Sequence, residues 1–447
     1  MSERDAGPPI RLIGTWSKMD DEERRRATAR GLSAIFDPAL RESIAELVED
    51  VRLHGDDAVV RALARFDGCA LEPSRLKVTP AEREAARRSI DPDLLAAIRD
   101  GITHVRRFNE QIVAHGDWSF ESEPGLTVGE KVTPIESAGL FVPSGKASYP
   151  SVLVQIGTPA VVAGVARIAV IVPPAPGSAG EVDPAVLVVA DELGIEEVFR
   201  ANGPAGIAAL AFGTETIPKV RKVVGPGSPA VTCAQVEVQR YGTVTTMLLG
   251  PSESLILADD SADPVLLAAD LLNEAEHGPD SSSVLVTDSE ELLAQAQHAV
   301  AERLAALPEP RRSYAASSLG VNGGAILVAD MAEGAEVADT YAPEHMMIAV
   351  RDEQQVLSSL HNAGEILVGQ WTPVSAANFV IGCPASLPTS GFAKVSSGVT
   401  ADAFRKRTAV ARADRRALAR MTPSIVAFSR HEGFPAHEAA ATVRLER

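Results

Sequence analysis

Glu274 and His277 stand three residues apart in the stretch LLNEAEHGPDSSS, residues 271–283. That spacing is close to one helical turn, so both side chains share a helix face. A carboxylate and an imidazole so placed can grip one metal ion. A surface pair favoured by the helix dipole has the same spacing. Glu344 and His345 are adjacent, behind Pro343 and at the entry to an apolar strand. Proline fixes the backbone, which aims acid and imidazole rigidly, and histidine titrates near neutral pH, which suits proton transfer. The same residues also read as a plain capped strand start. His437 follows Glu432 by five residues in HEGFPAHEAA, with Pro435 breaking any helix between them. This pair either closes a distant site or forms a solvated turn.

Six of the nine histidines remain. His54, His104, His298 and His361 fall within or at the ends of polar helical stretches and read as surface residues. His115 reads as a structural loop residue, and His431 adjoins Glu432.

The elements that must position these groups follow from pattern. Asp263 is an N-cap candidate and Pro264 a first helical residue, with Val265, Leu266, Ala269 and Leu272 at helical spacing. Gly278-Pro279 stops this helix, leaving Glu274 and His277 at its end. Helices are expected over 38–51 and 92–113, so a long helical region precedes the first strong strand at Ala138. There the chain enters a loop of small residues, 143–151, which allows close approach of a ligand to the backbone. Strands and short helices then alternate through the tight loop Gly225-Pro226-Gly227-Ser228. A second alternating region runs from Ser254 to Gly369. Such alternation implies parallel βαβ units with a ligand at the carboxyl ends of strands. No GxGxxG fingerprint is present in the first region. Residues 370–398 read as loop, and a structureless stretch of that length inside a compact protein is usually functional. The tail from Thr400 reads as helical, basic in its first half, and packed on another domain or a partner subunit.

The 447 residues are 45% hydrophobic, 23% charged and only 4% aromatic, which suits a helix-rich α/β chain. A net charge of −18 repels phosphate backbones and argues against nucleic acid. Cys69, Cys233 and Cys383 are too scattered for a zinc finger or a disulfide framework. The start, MSERDAGPP, is charged, and no run of about 18 apolar residues exists, so no membrane segment is expected and a cytoplasmic enzyme is.

The motifs FVPSGKASYPS, IAALAFGTETIPKV, GPGS, GPSESLILAD, AEHGPDS, YAPEHMMI, SLPTSG and PAHEAA, in that order between about residues 139 and 445, resemble the histidinol dehydrogenase family. The resemblance implies a zinc-dependent, NAD-linked oxidation of an amino alcohol through an aldehyde to a carboxylate. It implies two incomplete, doubly wound Rossmann-like domains with small terminal helical arms, in an intertwined homodimer whose C-terminal arm reaches the partner's site. The corresponding ranges are an arm over 1–37, a metal and catalytic domain over 38–140 and 252–398, a nucleotide-type domain over 141–251, and an arm over 399–447.

By position, His277 and His437 match zinc ligands, Glu344 the water-activating acid, and His345 the general base. Ser252 and Glu432 match substrate contacts, and the implied substrate is bordered by the ligand set and His345. The family's zinc-binding Gln and Asp are here Glu274 and Asn378, so the acid and the amide have traded places at equal charge. Metal binding is expected to survive, because zinc accepts carboxylate oxygen readily. The family's NAD-contacting Tyr, Gln and Asn are here Phe141, Ala205 and Ser228. Each lost hydrogen bond weakens binding by roughly 0.5–1.5 kcal/mol. A substrate-contacting Glu is Val374, and an Asn-His pair is Pro384-Ala385. The pocket is therefore expected to be more apolar and to reject a cationic amino alcohol. The expected function is a zinc- and NAD-dependent dehydrogenase of a small-molecule alcohol other than histidinol. Histidinol dehydrogenase itself, a non-redox metal-dependent lyase, hydrolase or cyclase, and an inactive binding protein are the alternatives.

Overall fold

The computed structural model describes residues 8–29, 37–144, 148–246 and 250–447. The remaining parts of the N-terminal arm and of the 143–151 loop lie outside the described residues. Strand β1 (Leu12–Thr15) comes first, followed by helices Asp21–Thr28, Pro38–Phe66, Pro80–Ser89 and Pro92–Ala114. Proline at the first turn and an Asp or Thr N-cap start each of the last three. Strands β2 (Trp118–Glu123) and β3 (Leu126–Pro134) form a hairpin. Then β4 (Ser137–Phe141), β5 (Arg167–Val172), β6 (Glu197–Arg200), β7 (Lys222–Val224) and β8 (Val244–Thr245) alternate with helices. So do β9 (Glu253–Ala258), β10 (Ser282–Thr287), β11 (Gly324–Leu327), β12 (His345–Ala349) and β13 (Glu365–Val368). The chain ends with β14 (Arg405–Ala413) and helices Arg415–Glu432 and Pro435–Glu446.

Two parallel sheets result, ordered β6-β5-β4-β7-β8 and β1-β11-β10-β9-β12-β13. Alternate residues feed opposite faces. Leu255, Leu257 and Ile348 join one apolar cluster, while Ile256, Leu285 and Met347 join another. Both faces of each sheet are therefore covered, which is why these strands read as nearly continuous apolar runs. This is the doubly wound α/β architecture the alternation implied.

Packing departs from the expected grouping in three places. Helices Pro38–Phe66 and Pro92–Ala114, grouped above with 252–398, instead cover the two faces of the five-stranded sheet through residues such as Val59 and Ile102. Leu12–Thr15, expected within a helical arm, is an edge strand paired in parallel with β11. The tail, expected to be helical from Thr400, first lays β14 antiparallel on β3, from Arg405 opposite Pro134 to Ala413 opposite Leu126. Most of β14 is exposed, so the backbone ladder rather than apolar burial holds it, and it leaves no burial pattern in sequence.

Candidate functional site

The five-stranded sheet reverses strand order between β4 and β7, and such a switch point opens a crevice at the carboxyl ends of the strands. The loops after β4 and β7 line a cavity of about 1010 Å3 there, through Ser144, Gly227 and Ser228. The other wall comes from the six-stranded sheet, but from its amino edge: Ser252 before β9, Ser281 before β10, and Glu344 with His345 at the start of β12. The cavity thus lies at the carboxyl ends of the strands of one sheet and at the amino ends of the strands of the other. The arrangement has a simple cause. A crossover helix returns to the amino edge, so helix Pro264–Ala275 delivers its last turn, with Glu274, to the cavity.

That helix forms as anticipated, with Asp263 accepting from the N–H groups of Val265 and Leu266. Glu274 is only 1% exposed. Its Oε1 accepts from Asn378 Nδ2 at 3.3 Å, and its Oε2 lies 3.6 Å from His277 Nδ1. His277 Nδ1 also meets the Asn273 carbonyl at 3.2 Å, which leaves Nε2 to face a ligand. Burial favours the protonated carboxyl of Glu274. The His277 and His345 imidazoles and the amides of Asn378 and Asn273 outweigh it and hold its pKa below the usual carboxylate value.

His345 is buried between β9 and β13, opposite Ser254 and Glu365 in register. Its Nδ1 is 2.5 Å from Glu365 Oε1, and its Nε2 is 3.9 Å from both Glu274 and Glu344. Burial disfavours the imidazolium, but Glu274, the Glu365 hydrogen bond and Glu344 overcome it and raise the pKa to about 10. Glu344 Oε2 accepts the N–H of Glu253 at 3.0 Å. Burial raises the Glu344 carboxyl to about 8, with the Glu274 and Glu253 charges adding and His345 opposing. Glu253 is itself fully buried, and its carboxylate accepts from the Ser390 N–H.

Glu253 and Glu365 were not singled out in the sequence. Their signal was available: each is an acid opening a largely apolar strand, ESLILA and EILV. Three buried carboxylates, Glu274, Glu344 and Glu365, surround one buried imidazole, with Glu253 beside Glu344, and Glu365 Oε2 has no hydrogen-bond partner among the described residues. An excess of buried negative charge is costly unless a cation offsets it. One ligand atom each of Glu274, Glu344 and His345 lies within 4.8 Å of the others. Glu274, His277 and Asn378 offer a carboxylate, an imidazole and an amide at the end of a helix whose dipole favours positive charge. These donors fit a divalent metal such as zinc.

Of the other expected site residues, Ser252 and Ser228 line the cavity. Ser228 is the N-cap of helix Pro229–Gln239 and spends no side-chain bond on the cap. Beside it, Gly225 has φ 144°, and a Cβ there would stand 2.2 Å from the Phe141 carbonyl oxygen. A close glycine turn feeding a helix N-terminus suits an anionic group such as a pyrophosphate. Phe141 and Ala205 are elsewhere: both are core residues of the five-stranded unit and do not line the cavity. Val374 is likewise buried in the core, and of the expected apolar wall only Ala385 is at the cavity. Glu432 and His437 lie at the junction of the two C-terminal helices, where the His437 ring meets Phe434 at 5.0 Å, and neither lines this cavity. His54 and His361 pair with Asp50 and Asp339 on exposed helix ends, as read. Among the described residues no helix is long and apolar enough to cross a membrane.

Residues 33–445 match the histidinol dehydrogenase family model. The chain is 39% identical over 400 residues to a protein named histidinol dehydrogenase homolog from Colwellia psychrerythraea, covering 89% of this chain and 88% of that one. It is 38% identical over 439 residues to a histidinol dehydrogenase from Gloeobacter violaceus, covering 98% and 97%. The crystal structure of histidinol dehydrogenase from Elizabethkingia anophelis is similar at a TM-score of 0.92 and 29% identity over 99% of both chains.

Proposed function

The chain belongs to the histidinol dehydrogenase family, and on that footing we propose that it is a cytoplasmic, metal-dependent, NAD-linked oxidoreductase that oxidises an alcohol other than histidinol through its aldehyde. One observation carries the chemistry: a buried imidazole, His345, backed by Glu365 and facing Glu274 and Glu344 at the floor of a cavity shared by both sheets. Glu274, His277 and Asn378 would hold the metal, and the Gly225–Ser228 turn would face the dinucleotide's phosphates. When bound, the metal supplies polarisation of the alcohol oxygen and the dinucleotide supplies hydride acceptance.

The chain's own residues do the rest. Glu365 keeps Nδ1 of His345 hydrogen-bonded, so Nε2 is the nitrogen that exchanges a proton in the cavity. With the surrounding carboxylates charged, His345 holds its proton; reducing their charge frees Nε2 to take the substrate's hydroxyl proton. Glu344, raised to about 8, is poised near neutrality to accept a proton from water adding to an aldehyde. Exposed Phe428, Phe434 and Val443 on the C-terminal helices support a second copy covering this arm, with His437 and Glu432 completing the partner's site.

The substrate reading rests on Ala385, which brings a methyl group to the cavity where the family resemblance places an imidazole. L-histidinol itself is the second reading, favoured by 38% identity over 98% of the chain to a protein named for that activity. An assay of L-histidinol with NAD at 340 nm is expected to show no turnover, and turnover at ordinary enzymatic rates would establish the second reading. Calorimetry with NAD and NADP is expected to show binding. No binding at millimolar concentration would overturn the redox reading in favour of metal-assisted chemistry on the same scaffold.

A further inference from the structure

Helix Pro92–Ala114 sends Leu94, Ala97, Ile98 and Gly101 to the wall of the cavity. Their spacing puts them on one helix face, and none carries a polar side chain. From Leu94 to Gly101 this face runs about 10 Å, roughly the length of an extended eight-carbon chain.

Its inner end abuts the segment that carries Asn378. A Cβ on Gly101 would stand 2.8 Å from the carbonyl oxygen of Phe379, the residue after Asn378. The segment then follows the helix towards its carboxyl end, where a Cβ on Gly382 would stand 2.7 Å from the His104 carbonyl oxygen. It therefore leaves the turns bearing Leu94 and Ala97 uncovered. Leu94 is 41% exposed and Phe379, also at the cavity, is 56% exposed. Large apolar side chains left wet beside reactive groups form a surface that an apolar ligand can dry. Gln155, also at the cavity, is buried and spends both ends of its amide on backbone. Its Nε2 donates to the Ala377 carbonyl at 3.5 Å, and its Oε1 accepts the Ala385 N–H at 3.3 Å.

We propose that the substrate is an alcohol with an apolar tail, laid along Leu94, Ala97 and Ile98 while its hydroxyl carbon sits at His345. The proposal rests on the reading of this site as an alcohol-oxidising centre. The hydroxyl proton goes to His345, the hydride from the same carbon goes to the nicotinamide of NAD, and the alcohol becomes an aldehyde.

The test uses the full-length, zinc-loaded protein and the straight-chain primary alcohols butanol, hexanol and octanol. Two quantities are read: kcat/KM with NAD, and affinity by calorimetry without NAD. Both are expected to rise about 4-fold per added methylene. Leu94→Asp puts a charge at the mouth of the track, and Ala97→Phe fills it. Each is expected to cut the octanol-to-butanol ratio by about 10-fold or more in both measurements. Equal values for butanol and octanol would overturn the apolar tail and leave alcohol oxidation standing. Octanol bound more tightly than butanol, with no NADH formed, would support the tail and remove the redox reading. Binding of none of the three alcohols would overturn the proposal. So would a changed oligomeric mass of Leu94→Asp by light scattering, which would assign the stripe to a subunit contact.

Discussion

His345 and Glu365 face each other in register across two adjacent parallel strands, with Nδ1 and Oε1 2.5 Å apart and both side chains buried. The geometry fixes which ring nitrogen meets the cavity and holds a proton on the ring. Glu365→Gln is expected to lower the His345 pKa from about 10, read by NMR titration of the imidazole in metal-free protein. Turnover should fall by roughly 10²–10⁴-fold with little change in KM. An unmoved pKa would remove Glu365 from the site's electrostatics. A raised folded-state pKa means that this imidazole stabilises the protein most below about pH 6.5, and that the contribution disappears as pH rises through about 10.

The exchange of acid and amide between Glu274 and Asn378 predicts a specific double-mutant result. Glu274→Gln leaves no carboxylate in the set Glu274, His277 and Asn378, and is expected to weaken zinc by roughly 10-fold or more. Adding Asn378→Asp to that variant restores the charge and should return affinity to within about 10-fold of wild type. Zinc competition on the wild type, the single variant and the double variant decides the matter. A double variant as weak as the single one would show that the two positions are not equivalent.

Gly225 predicts a backbone limit. Its φ of 144° disfavours any side chain, and a Cβ would meet the Phe141 carbonyl oxygen at 2.2 Å. Gly225→Ala should lower unfolding free energy by roughly 1–3 kcal/mol in urea titrations. An unchanged midpoint would mean that the turn relaxes freely.

Asp270 predicts a pH-dependent gain. Burial raises its carboxyl to about 6 in the folded state from an ordinary 3.8. The folded protein therefore binds this proton more tightly than the unfolded chain, and stability falls as pH rises between those values and stays reduced above them. Asp270→Asn does not ionise and is expected to be more stable than wild type at pH 8 by roughly 1–3 kcal/mol, with the difference vanishing below about pH 4. Equal stability at pH 8 would contradict the burial argument.

Much of the molecule was legible before any coordinates. The alternation of apolar runs with capped helical stretches marks both parallel sheets, because strands buried on both faces must be apolar throughout. The Asp263 cap and the Gly278-Pro279 stop place Glu274 and His277 at a helix end, because those signals act over a few residues of chain. The stretch after Gly369, read as loop, instead forms helix Val374–Phe379 in part, and that helix reaches the cavity through Ser375, Ala376 and Asn378.

Other features depend on where distant segments meet. Strand β14 carries no apolar pattern of its own, and only pairing with β3, far away in sequence, makes it a strand. Phe141 and Ala205 could be aligned to cofactor positions, yet their side chains turn into the core. Motif, cap and periodicity determined the sheets, the helix ends and which candidate groups stand at those ends, since these signals are local. The tertiary structure alone decided that the amino edge of one sheet faces the carboxyl edge of the other, and that Glu253 and Glu365 press against Glu344 and His345. Burial, charge coupling and pKa belong to the assembled neighbourhood, and no single stretch of chain carries them.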